Sequence, residues 1–181
     1  HQPRGCDAPS VLHSGQVGDL IYGLPTIRAL GGGVLLLAPG HRGDANFPRH
    51  VAEQTGSLLR RQPYLQDVRI WAGEPIDYDL DRFRAGDTQR GNLADLHLAA
   101  FGQPITERDT AWLDGIEPLK VPGRPIVFQR TARQRNPDFS WRQVYNENAG
   151  RAVLVGLREE HRLFEQEVGP IDCFVARDFL E

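Results

Sequence analysis

Residues 13–37 read HSGQVGDLIYGLPTIRALGGGVLLL. The short apolar run PSVLH (9–13) leads into a glycine-containing turn. A helical stretch follows from about Gly18 to Leu30, and three glycines, 31–33, break it. The next run, VLLLA (34–38), is continuously apolar, as in a strand buried on both faces of a parallel sheet. Strand, turn, helix, glycine stop and buried strand make a β-α-β unit. Pro25 lies inside the helical stretch without an N–H to donate, so a kink or a fresh helix start is expected there.

The rhythm continues outward from this stretch. A helix is expected from about Pro48 to Gln62, strands at VRIW (68–71) and IDYDL (76–80), and an amphipathic helix over 91–102. That helix carries Leu93, Leu96, Ala100 and Phe101 on one face, and Gly102 closes it. The proline- and glycine-punctuated stretch IEPLKVPGRP then reads as a linker. A second alternation follows: strand 125–130, helix 139–150, strand 151–157, helix 158–169, strand 171–175 and the start of a further helix. The expected organisation is an N-terminal α/β lobe over 1–115, a linker over 116–124 and the beginning of a second lobe over 125–181, each with a parallel sheet. Three strands are few for such a lobe. Together with the lack of methionine and a first residue of His1, this leads to the expectation that the 181 residues belong to a longer protein.

Composition narrows the function classes. Hydrophobic content of 40% and charged content of 25% are globular values. A net charge of −3 argues against a general nucleic-acid binder. No apolar run approaches the roughly 18–20 residues that cross a bilayer. No leader pattern stands at the start, and Cys6 and Cys173 form no disulfide or zinc framework, so a cytoplasmic location is expected. The six histidines form no i, i+3 or i, i+4 pair. Asp77, Asp79 and Asp81 alternate along a strand-like stretch, which suggests a cation site or, more simply, the solvent face of an edge strand.

The glycine turn fits none of the common phosphate or acyl sites. Gly15 and Gly18 are spaced GxxG, where a dinucleotide fingerprint needs GxGxxG and a following acid. A Walker loop needs a lysine, and Lys120 in the linker is the single one. Ser14 lacks the leading glycine of a nucleophile elbow. What the turn delivers is Asp19, in the first turn of the helix, where the macrodipole keeps a carboxylate ionised. A phosphate at that spot would meet a like charge. A fixed carboxylate that takes a proton from a neutral hydroxyl fits better. The plainer alternative is a favourable acidic first-turn residue worth about 0.3–1 kcal/mol.

The segment SGQVGDLIYGLPTIRAL, with Gly18, Asp19, Leu24, Pro25 and Leu30, resembles the N-terminal signature of glycosyltransferase family nine, the bacterial heptosyltransferase-like proteins. QPYLQDVRIW (62–71) and FQRTARQRNPDFSW (128–141) resemble its mid-domain segment and the opening of its C-terminal lobe. The resemblance implies a two-lobed GT-B arrangement of Rossmann-like lobes. It implies transfer of a sugar, a heptose among the candidates, from a nucleotide-diphosphate sugar to a hydroxyl acceptor: a glycan, a lipid-linked sugar or a protein. The transfer would invert configuration, with no metal and no cofactor. It makes Asp19 the base and sets His13, Ser14, Gly15 and Gly18 on the acceptor side. Arg130, Arg133 and Arg135 follow the first strand of the second lobe and are expected to grip the donor diphosphate. A solvated basic loop is the other reading of those arginines. The basic loop has no lysine, which family members commonly carry, and the 181 residues end before the family's diphosphate-binding turn. A non-catalytic nucleotide-sugar or partner-binding module of the same fold is the second functional expectation.

Overall fold

The computed structural model describes residues 8–41, 47–86, 91–115, 123–129, 136 and 138–174. The chain divides into two compact units, His1–Ile116 and Glu117–Glu181.

The first unit is built on a four-stranded sheet. Its strands are β1 (Ser10–His13), β2 (Gly33–Leu37), β3 (Leu65–Ile70) and β4 (Tyr78–Asp79), in the order β3-β2-β1-β4 with every pairing parallel. Helix α1 (Val17–Ala29) joins β1 to β2, α2 (Arg49–Leu59) precedes β3, and a 3-10 helix (Leu80–Ala85) follows β4 and leads towards α3 (Leu93–Ala100). As the unbroken apolar run predicts, β2 lies inside the sheet and is buried on both faces. Leu35 and Leu37 join Val11, Leu20, Leu24 and Ile27 in the main core, while Leu36 packs with Leu12 and Ala38 on the other face.

The glycines between α1 and β2 are required by geometry. Gly32 and Gly33 have φ of 79° and 133°, and a Cβ on either would sit about 2 Å from the carbonyl oxygen of Tyr64 or of Pro9. These glycines let β2 pass close to its neighbours on both sides. Two expectations change. Pro25 neither ends α1 nor starts a second helix; it is buried within one helix of 13 residues. The buried side of α3 comprises Ala94, His97 and Leu98 rather than Leu93, Leu96 and Ala100.

The second unit holds a three-stranded parallel sheet in the order β5-β6-β7: β5 (Ile126–Phe128), β6 (Ala152–Val155) and β7 (Cys173–Phe174). Helices α4 (Trp141–Asn148) and α5 (Arg158–Glu167) alternate with the strands. Ser140 caps α4, its side chain accepting from the Gln143 N–H at 3.2 Å. Phe164 on α5 is fully buried among Phe128, Trp141 and Tyr145 at centroid distances of 5.9–6.2 Å, so Trp141 is a packing residue here. Cys173 is partly buried against this cluster, which pushes its thiol pKa up. Most of the linker, the three arginines Arg130, Arg133 and Arg135, Cys6 and the expected final helix lie outside the described residues.

Candidate active site

The order β3-β2-β1-β4 creates a switch point. From β1 the chain passes to β2 on one side, while β4 pairs with the other side of β1, with Leu12 opposite Asp79. Loops leaving the carboxyl ends of two such strands diverge and leave a crevice, the usual ligand position in open parallel sheets. Two segments meet there: residues 13–19, running from β1 into α1, and residues 80–84, following β4.

The first segment brings His13, Ser14, Gly15 and Asp19. Gln16 is the N-cap of α1 with its side chain making no capping bond, and Asp19 stands in the first turn as the sequence predicts. The second segment starts on Asp79, whose Oδ1 accepts from the Asp81 N–H at 3.0 Å. That turn rotates Asp81 off the strand direction and into the interior, where it is 2% exposed. The acidic alternation at 77, 79 and 81 is therefore no uniform solvent face. Asp77 binds Ser10 through both its N–H and its hydroxyl, Asp79 caps the 3-10 helix and Asp81 is buried.

Asp81 and Arg84 tie the two segments together. The Ser14 hydroxyl donates to Asp81 Oδ2. Asp81 Oδ1 lies 4.0 Å from His13 Nδ1 and 3.7 Å from Arg84 Nε. Arg84 in turn donates through Nη2 to Asp19 Oδ2 at 2.5 Å, and its guanidinium lies 4.8 Å over the Phe83 ring. Gly15 makes room for this contact: a Cβ there would stand 2.3 Å from Arg84 Nη2. The result is a carboxylate–guanidinium–carboxylate chain running from the interior to the surface. Asp81 has no exposed side-chain area, whereas Asp19 is 21% and Arg84 43% exposed.

Two buried imidazoles flank the chain. His13 is fully buried and its Nε2 donates to the Gln16 carbonyl at 3.2 Å. Burial draws its pKa down, against the pull of the Asp81 carboxylate. His97 on α3 lies against Phe83 at 3.9 Å between centroids, and neither ring nitrogen makes a hydrogen bond among the described residues. Burial lowers its pKa to about 4, and the neighbouring His13 and Arg84 add to the effect. It is neutral at pH 7.

Of the loop residues expected on the acceptor side, His13, Ser14 and Gly15 are buried, while Gly18 is exposed with open space above its Cα. The Ser14 hydroxyl is engaged by a carboxylate and His13 by a main-chain carbonyl. The trio thus lacks the nucleophile–imidazole–carboxylate order that acyl transfer uses. Asp19 remains the partly exposed carboxylate beside this switch point. Arg84 takes Oδ2, and Oδ1 has no partner among the described residues. Arg84 and His97 carry no site role in the sequence reading, and Asp81 enters it only within the acidic alternation. The pairings that reveal two of them span 65 and 67 positions.

Among the described residues no cluster of His, Cys, Asp or Glu is arranged to hold a metal, and no helix is long and apolar enough to cross a membrane. No protein-family model matches the chain, and neither a curated protein nor a solved structure matches it.

Proposed function

We propose that the chain is a glycosyltransferase-like protein that moves a sugar from a nucleotide-diphosphate sugar to a hydroxyl acceptor with inversion, Asp19 serving as the base. The observation that supports this reading is the position of Asp19. It is a partly exposed carboxylate in the first turn of α1, at the switch point of a parallel sheet, with the bare Cα of Gly18 beside it. An acceptor hydroxyl bound there hydrogen-bonds to Oδ1. As its oxygen attacks the anomeric carbon, its proton passes to the carboxylate and the diphosphate leaves with the electron pair of the broken bond. One helix terminus and one carboxylate leave no room for a second anion, so the diphosphate belongs elsewhere. Arg130, Arg133 and Arg135 are the proposed grip for it, in the GT-B manner of the family resemblance.

Asp19→Asn tests the reading in a transfer assay with a panel of nucleotide-diphosphate sugars. Loss of a general base lowers turnover by about 10²–10⁴-fold. Full turnover in Asp19→Asn removes Asp19 from the chemistry, and a melting temperature unmoved by every nucleotide diphosphate removes the donor. The second reading, a binding module of the same architecture, has its own support: Asp19 is already bonded to Arg84, which competes with a hydroxyl for the carboxylate. That reading expects nucleotide diphosphates to raise the melting temperature while no sugar is transferred.

A further inference from the structure

The Asp19–Arg84 pair alone would be an ordinary surface contact. Pairs between exposed, long side chains contribute about 0–1 kcal/mol and sample many rotamers. This pair differs because the guanidinium is restrained from behind. Asp81 Oδ1 stands 3.7 Å from its Nε, the Phe83 ring lies beneath it and the Gly15 backbone closes the side. A carboxylate buried as completely as that of Asp81 is costly unless charge and hydrogen bonds compensate it. Here the Ser14 hydroxyl donates to Oδ2, and the Arg84 charge stands 3.7 Å from Oδ1, an ion pair beyond hydrogen-bond distance. The Asp79 turn fixes the Asp81 backbone at 3.0 Å. Each contact on the buried side limits where the guanidinium can go, and Nη2 donates to Asp19 Oδ2.

From this geometry we propose that Asp81 is a positioning residue. It acts on Asp19 through Arg84, holding the guanidinium so that Asp19 keeps one oxygen engaged and presents the other to the crevice. Asp81 itself touches no reacting atom. The inference rests on the reading of Asp19 as the reacting carboxylate, but its physical content is measurable without any substrate.

The direct test is the Nε–H order parameter of Arg84 by NMR, with Arg49 of the exposed Arg49–Glu53 pair as the internal reference. In the unaltered protein Arg84 is expected near the rigid value of about 0.85 and Arg49 below about 0.6. Asp81→Asn keeps the shape and removes the charge; it is expected to drop Arg84 to the Arg49 range. Ser14→Ala keeps the charge and is expected to lower it less. An Arg84 as mobile as Arg49 in the unaltered protein overturns the proposal whether or not any variant folds. So does an Asp81→Asn protein whose Arg84 stays rigid. In a transfer assay Asp81→Asn is expected to lower kcat about tenfold or more with donor KM unchanged. If the order parameters behave as expected and no sugar is ever transferred, the positioning stands and the glycosyl-transfer reading falls.

Discussion

The two sheets of this chain are both parallel and both alternate with helices, yet they differ in what they bury. Among the described residues of the second unit the buried side chains are apolar, gathered around Phe164. The first unit has its own apolar layers on both faces of β2, and in addition buries His13, Ser14, Asp81 and His97 at one end of β1 and β4. Apolar burial is non-directional and tolerant of exchange. Burial of ionisable groups is expensive unless each finds a partner, and it makes stability depend on pH. Among the described residues the first unit therefore carries a cost that the aromatic cluster around Phe164 does not, and that cost is concentrated at the end of β1 and β4 where Asp19 stands.

The largest expected effect lies in the apolar cluster of the second unit. Phe164→Ala removes the ring shared by Phe128, Trp141 and Tyr145, and truncations of this kind cost about 3–5 kcal/mol. Urea unfolding of the variant checks it. A loss under 1 kcal/mol would mean that the aromatic cluster closes over the gap, and that the contrast between a rigid apolar core and a polar one is overstated.

The next effect belongs to the first unit and is tuned by pH. His97 has its pKa lowered from 6.5 to about 4 by burial. Between those two values the unfolded chain binds a proton that the folded chain refuses. Stability is complete above about pH 6.5 and falls as the pH drops towards 4. One pKa unit is about 1.36 kcal/mol, so the loss attributable to His97 approaches about 3 kcal/mol. His13, also lowered by burial, acts in the same direction. His97→Leu is expected to flatten the fall measured by urea unfolding at pH 6.5, 5 and 4. An equal slope in both proteins would assign the acid sensitivity to other groups.

The parts of this architecture legible in the sequence are those written locally. The apolar run 34–38 announces a strand buried on both faces, the glycines at 31–33 announce the stop, and Asp19 is placed in a first helical turn by counting alone. The remainder of the site is written in pairs of distant residues. The period-two reading of Asp77, Asp79 and Asp81 assumes that the strand continues, but β4 ends at Asp79 and the 3-10 turn carries Asp81 inward. The face assigned to α3 left out His97 because a histidine counts as polar. Its position between Leu96 and Leu98, three residues after Ala94, was the available signal that it shares the buried side. Helix α1 continues through Pro25 although the proline has no N–H to donate, and its inner face packs into the main core, so tertiary packing offsets a local rule.

The smallest expected effect on stability makes the sharpest use of the contrast. Gly15→Ala adds a methyl group 2.3 Å from Arg84 Nη2, 3.1 Å from Asp19 Oδ2 and 3.3 Å from His13 Cε1. The worst of these contacts is with Nη2, the outer end of a 43% exposed side chain, which can turn off Asp19 while its Nε stays beside Asp81. Losing a surface ion pair costs about 0–1 kcal/mol, while replacing a loop glycine whose φ suits alanine returns about 0.4–1 kcal/mol. The net change is expected within about 0.5 kcal/mol by urea unfolding, even as Arg84 Nη2 leaves Asp19 and the Nε–H, still beside Asp81, keeps its order parameter. A loss of 2 kcal/mol or more would show that Gly15 serves the packing of His13 instead, and the crevice would then be a polar core with a surface charge beside it. Near-neutral stability with Nη2 turned off Asp19 and the Nε–H still rigid separates the two roles: the apolar layers hold the unit together, and the buried carboxylate holds one guanidinium in place beside the switch point.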